Sequence, residues 1–157
     1  MEQFFSELRF TTKGEDLLDI TNELNSFILK NSFNSGIIVL STLHTSCSLT
    51  INENADPNVL KDLKKYMQSI VPYEAYRSLS KNKEEISYSH YQEGEDDMPA
   101  HIKTSLTNTT LSLSFQKGRL ILGTWQAIYL WEHRLNQKER VISVHIIGEK
   151  TPNIYNK

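Results

Sequence analysis

The stretch Gly36-Ile37-Ile38-Val39-Leu40-Ser41-Thr42-Leu43 runs into His44-Thr45-Ser46-Cys47 and on through Ser48-Leu49-Thr50-Ile51-Asn52-Glu53-Asn54-Ala55-Asp56-Pro57. Its reading decides the fold class. The first eight residues are a short β-branched run bounded by glycine, the pattern of a strand buried on both faces. Ser48 to Ile51 resume strand-like alternation. Asp56 then offers a side-chain oxygen to cap a helix whose first position is Pro57, where the missing N–H costs nothing. Val59, Leu63, Tyr66, Met67 and Ile70 form the inner stripe of that helix, and Pro72 closes it. Strand, polar hinge, strand and helix in such quick succession imply an α+β domain.

Working outward, residues 4–12 alternate loosely and end at Lys13-Gly14, as an opening strand does. Leu17, Ile20, Leu24, Phe27 and Ile28 recur at three- and four-residue spacing and predict a helix ending near Asn31 to Asn34. Residues 73–97 are polar and aperiodic, a long excursion of the kind that forms a lid or an oligomer arm. Asp97 is placed to cap a short helix with Pro99 in its first turn. Beyond it, strands are expected over Thr110 to Phe115, Leu120 to Trp131 and Val141 to Ile147, with a turn at Lys117-Gly118 and a polar hairpin connection at Gln137-Lys138-Glu139. The expected architecture is a single domain over 1–157, α+β, with a mostly antiparallel sheet, two main helices and one short helix.

Composition narrows the function classes. Of 157 residues, 38% are apolar and 10% aromatic, which suits one folded core rather than a disordered chain. Seventeen basic and nineteen acidic residues give a formal charge of -2, so there is no global electrostatic footprint for nucleic acid or an anionic membrane. The first residues carry acids where a signal peptide needs a basic flank, and no apolar run reaches membrane-spanning length; a cytoplasmic protein is expected. Cys47 is the only cysteine, which excludes an internal disulfide or a thiolate cluster within one chain.

Chemistry concentrates in two polar clusters. The first spans His44 to Asp56; the second is His90-Tyr91-Gln92-Glu93-Gly94-Glu95-Asp96-Asp97-Met98-Pro99-Ala100-His101. Imidazoles beside carboxylates suit zinc or another divalent transition metal, although no pair has signature spacing and satisfied structural histidines fit the same residues. Asp97 can cap a helix or do more, and Asn52 with Glu53 can serve a turn or a ligand. Gly118 and Gly123 flank a strand without the spacing of a phosphate loop.

Together, His44-Thr45-Ser46, Leu49-Thr50-Ile51-Asn52-Glu53-Asn54 with Asp56-Pro57, Asp96-Asp97-Met98-Pro99-Ala100-His101-Ile102-Lys103, Gly118-Arg119, and Gly123-Thr124-Trp125-Gln126 with Glu132 closely resemble the YjbQ-like family, whose members are often labelled secondary thiamine-phosphate synthases. The resemblance runs in order over about residues 4–149. It implies a homotrimer of compact YjbQ-like subunits with a polar cleft near the subunit boundary. It also implies a divalent metal ion, zinc being the natural candidate, on His44, His90 and His101. Glu53, Asp97 and Glu132 become candidate catalytic residues, and Asn52, Lys103, Arg119 and Trp125 candidate binders of a small-molecule substrate, with Arg140 a further phosphate partner. The implied activity is metal-dependent chemistry on a phosphorylated or anionic small molecule, with thiamine-phosphate synthesis as the labelled or side activity; a non-catalytic trimer holding a metal or metabolite is the alternative. Where the family usually has a glycine after the short helix, this chain has Asn108, which can take a left-handed backbone.

Overall fold

The computed structural model describes residues 1–78, 82 and 84–151. A five-stranded sheet is ordered β1 (Glu2–Thr11), β10 (Glu139–Lys150), β3 (Phe33–Thr42), β7 (Thr110–Gln116) and β8 (Arg119–Leu120). A three-stranded sheet is ordered β2 (Asp16–Asp19), β9 (Gln126–Glu132) and β4 (Cys47–Glu53). β5 (Ala75–Arg77) and β6 (Glu85–Ser87) make a separate hairpin inside the polar excursion, whose residues 79–81 and 83 lie outside the described residues. The helices are α1 (Thr21–Lys30), α2 (Pro57–Ile70) and α3 (Asp97–Ser105). All the strand pairings are antiparallel, in keeping with the α+β expectation.

The period of two along each strand sorts side chains between faces. Ile38, Leu40, Leu113, Phe115, Ile142, Val144 and Ile146 point inward from the large sheet, against Ile20, Leu24 and Ile28 of the α1 segment and Leu49, Ile128 and Leu130 of the small sheet. Phe5, Ile37, Val39, Val141 and Ile147 fall on the opposite, outward face, where burial is partial or absent. A second apolar cluster of Leu17, Met67, Ala127, Tyr129 and Trp131 sits under α2. The Asp56 carboxylate accepts from Asn58 N at 2.8 Å and caps α2 as its sequence predicts.

Several local expectations are corrected. Leu17 is not helical: it pairs with Trp131 in the β2–β9 ladder, and α1 starts four residues later at Thr21. The strand pairing outweighs the three-residue spacing that Leu17 shares with Ile20. Gly36 does not bound β3 but lies within it, at φ +154°, because a Cβ there would stand 2.3 Å from Ile147 O on the neighbouring strand. Tyr66 and Ile70 face outward from α2. The run expected as one strand over Leu120 to Trp131 divides into β8 and β9, which belong to different sheets. Residues 133–138 are therefore no hairpin; they carry the chain from the small sheet to the large one. Asn108 needs no left-handed backbone, since it forms an antiparallel bridge with Leu49. No helix among the described residues is long and apolar enough to cross a membrane.

Candidate metal centre

α3 begins where the polar excursion ends, and its first turn is held from below. Asp96 is the N-cap residue and Asp97 the first helical one, yet neither carboxylate caps the helix, contrary to the role expected of Asp97. Both are claimed by Arg134, which the crossing segment after β9 delivers beneath them. Arg134 Nε donates to Asp96 Oδ2 at 3.0 Å, Nη2 donates to Glu93 O at 2.8 Å, and Nη1 pairs with Asp97 Oδ1. Leu135 N adds a 2.8 Å bond to Asp96 Oδ2. Burial works to raise the Asp96 carboxyl, but these donors and the guanidinium charge outweigh it and hold the group below its ordinary value.

The other Asp97 oxygen is buried and makes no hydrogen bond, although His90 Nε2 lies 2.7 Å away and His101 Nε2 3.7 Å away. Asp97 is 2% exposed, so this oxygen is costly unless an N–H of His90 or an ion held between the carboxylate and the imidazoles answers it. One donor atom from each of His90, Asp97 and His101 fits within 4.8 Å. His101 is also oriented from behind. Its Nδ1 faces Thr45 O at 3.0 Å, and since a carbonyl only accepts, the proton sits on Nδ1 and leaves the Nε2 lone pair toward Asp97. Asp97 and His101 are four residues apart and share one face of α3. The donor set therefore fits a divalent ion.

His44 is not part of this group. Its Nε2 accepts from Val141 N at 2.8 Å, tying the 43–46 loop to β10, and burial with the nearby Arg140 charge lowers its pKa. It instead lines a cavity of about 570 Å³ shared with His101, Thr42, Thr104, Thr107 and Thr109.

Other expected site residues are occupied elsewhere. Glu132, 1% exposed, pairs with Arg140 through both oxygens at 2.5 and 2.7 Å and accepts from Thr12 Oγ1 at 2.8 Å. Arg140 also reaches Ser46 Oγ at 3.0 Å. This pair braces the loop behind His44. Lys103, expected to bind substrate, is fully buried and paired with Glu15, with Tyr73 at 3.5 Å. Cys47 is buried at the start of β4, and burial pushes its thiol up to about 11, so it remains a protonated bystander.

Glu53, Asn52 and Trp125 cluster together but at the far end of the β4–β9 ladder. Glu53 is opposite Gln126, and Asn54 N donates to Trp125 O, whereas Cys47 is opposite Glu132 at the His44 end. Six residues of strand put about 20 Å between the two groups within one subunit. Asn52 Oδ1 is spent on Glu53 N at 2.8 Å. Arg119 is exposed at the start of β8, opposite Gln116 and at the far end of β7 from the Ser41–Thr110 pair near His44. The sequence reading missed Arg134 and Glu15; the Glu132-His133-Arg134 run closing an apolar strand is a local signal that could have found the first, and nothing local marks the second.

A family model described as "UPF0047 protein YjbQ-like" matches residues 6–149. A UPF0047 protein of Synechocystis is 39% identical over 142 residues, covering 90% of each chain, and the UPF0047 protein YjbQ of Escherichia coli O157:H7 is 38% identical over 143 residues, covering 90% of this chain and 96% of its own. Among solved structures, a protein of the same family from Clostridium acetobutylicum is 31% identical with a TM-score of 0.74, covering 90% of this chain and 99% of its own. A YbjQ-like protein of unknown function from Sulfolobus solfataricus, 21% identical over 94% of this chain and 99% of its own, has a TM-score of 0.76 and shares the fold.

Proposed function

We propose, from the premise that the chain belongs to the UPF0047 YjbQ-like family, that it is a metal-dependent enzyme acting on a phosphorylated or anionic small molecule. One observation carries this reading: the buried, unbonded Asp97 Oδ2 faces two imidazole nitrogens, one of them fixed in tautomer by Thr45. His90, Asp97 and His101 would hold the ion, with zinc the best match to the donors and a fourth position left for substrate. Such an ion supplies Lewis-acid stabilisation to an oxyanion or a departing phosphate. Arg134 fixes Asp97, Thr45 fixes His101, and the uncharged His44 can lend its Nδ1–H to a substrate oxygen in the hydroxyl-lined cavity. Thiamine-phosphate synthesis is the activity to assay first, as a side reaction of such a site.

The assembly we propose is a homotrimer. The outward apolar face of the large sheet supports burial against other copies, and only another copy can bring Glu53, Asn52 or Trp125 toward the cluster.

Elemental analysis tests the ligand set. His101→Ala and Asp97→Asn should lose the bound metal while His44→Ala retains it; unchanged stoichiometry in the first two sinks the reading. The binding-only alternative draws support from Glu132 and Lys103, whose ionic groups are consumed inside the protein. Metal-loaded protein that is stabilised against melting by phosphorylated metabolites yet consumes none would favour it.

A further inference from the structure

α3 shows two side-chain stripes. Asp97 and His101 form the donor stripe; Met98 and Ile102, one residue on and about 100° around the helix, form an apolar one. Ile102 packs in part against the apolar cluster under α2, but the stripe is not fully covered by it. The stripe opens on a cavity of about 1300 Å³, walled by Ile70 and Val71 at the end of α2 and by Tyr76 and Ile86 of the β5–β6 hairpin, with His90 at its rim. Ile70, Tyr76 and Ile86 are 47%, 40% and 38% exposed, an unusual gathering of wet apolar side chains in one concavity. The wall is preformed. Tyr88 donates its hydroxyl to Pro72 O at 2.9 Å, tying the hairpin root to the end of α2, and its ring lies 5.5 Å from that of Tyr76.

We infer that this cavity takes the apolar body of the substrate, whose oxyanion head reaches the His90–Asp97–His101 cluster past His90; the inference rests on the metal reading above. The substrate class is thus an amphipathic oxyanion, such as an aryl or short alkyl phosphate. The bare anion fails to use the cavity. A largely apolar concavity with polar groups among its walls is a common form of small-molecule site, and this half-open one, which Arg77 and Glu85 also line, shares His90 with the donor cluster.

Calorimetry on zinc-loaded protein with phenyl phosphate and inorganic phosphate tests the inference. Burial of the ring predicts that phenyl phosphate binds about tenfold to a hundredfold tighter. Ile86→Glu, a change on an exposed hairpin, should erase that preference while leaving zinc stoichiometry and inorganic phosphate binding unchanged. Equal affinities for the two phosphates with zinc in place overturn the inference and leave the metal reading standing. A preference that persists without bound zinc and vanishes in Ile86→Glu supports the cavity and sinks the metal reading. If Ile86→Glu instead changes the mass measured by sedimentation while both phosphates bind alike, the cavity is an interface between copies and the inference falls.

Discussion

Replacing Arg134 with Met should uncouple the first turn of α3 from the body of the protein. The guanidinium is 7% exposed and pairs with Asp96 and Asp97, which are 6% and 2% exposed. Its contact with the exposed Glu93 carboxylate, at 3.9 Å, adds little. Met keeps most of the volume but takes the shared guanidinium away from two buried carboxylates. Breaking a buried pair by removing one partner costs about 3–5 kcal/mol, a large share of the roughly 5–15 kcal/mol that holds a domain together. Asp97 also loses the donor that orients it, so metal affinity should fall about 10- to 100-fold. Urea unfolding at pH 7 and metal titration measure the two effects. Their pH dependence has a definite sign. Because the Asp96 pKa is held down in the folded state, its contribution is present above the unfolded carboxyl value and is lost as pH falls through the folded one. The gap between wild type and variant should therefore narrow below about pH 4. Arg134→Lys keeps the charge but not the fork, and should fall between them. An Arg134→Met protein with the wild-type urea midpoint and metal affinity would refute the reasoning.

Two further outcomes follow from buried groups and backbone. His133 is fully buried, bonded through Nε2 to Ser48 Oγ at 2.9 Å, and pushed down to about 3 by burial and the nearby Lys103 and Arg140 charges. Between that value and about 6.5 the unfolded chain binds a proton that the fold refuses, so stability should fall by about 1.4 kcal/mol per pH unit as pH drops; His133→Gln should flatten this slope in pH-dependent denaturation. An identical slope in the variant would count against a neutral buried imidazole. Gly36→Ala must place a Cβ 2.3 Å from Ile147 O at a positive φ, so β3 and β10 must separate locally; thermal unfolding should show a loss of about 1–3 kcal/mol, and a variant as stable as wild type would show that the strands do not approach this closely.

What the sequence made legible was local. Asp56 and Pro57 specify the start of α2 within three residues, and Lys117-Gly118, both at positive φ, turn β7 into β8 as their types suggest. What it hid depends on partners far along the chain. Leu17 fits a helical stripe as well as a strand, and only β9, more than a hundred residues later, decides between them. The histidines divide for the same reason. His44 and His101 look alike in sequence, but Val141 N, 97 residues away, claims the Nε2 of His44, whereas Thr45 O claims the Nδ1 of His101 and leaves its Nε2 free. Lys103 reads as a surface cation of a helix until Glu15, 88 residues earlier, is found beneath it.

The cost of these internal pairs bears on what α3 is for. Arg134 with Asp96 and Asp97, Lys103 with Glu15, and Arg140 with Glu132 all sit under or beside this nine-residue helix and the loop it touches. Buried ion pairs repay their desolvation only with good geometry, and apolar packing of equal volume often holds a fold as well or better. A helix needed only to cover a sheet would be secured more cheaply by leucines. Ionic partners at both of its ends, by contrast, fix its rotation about its own axis. That rotation matters here because the donor stripe of Asp97 and His101 and the apolar stripe of Met98 and Ile102 are separated by a single residue step. A turn of half that step would aim both stripes away from the cluster and the cavity, so the pinning of α3 and the proposed two-part substrate site explain one another.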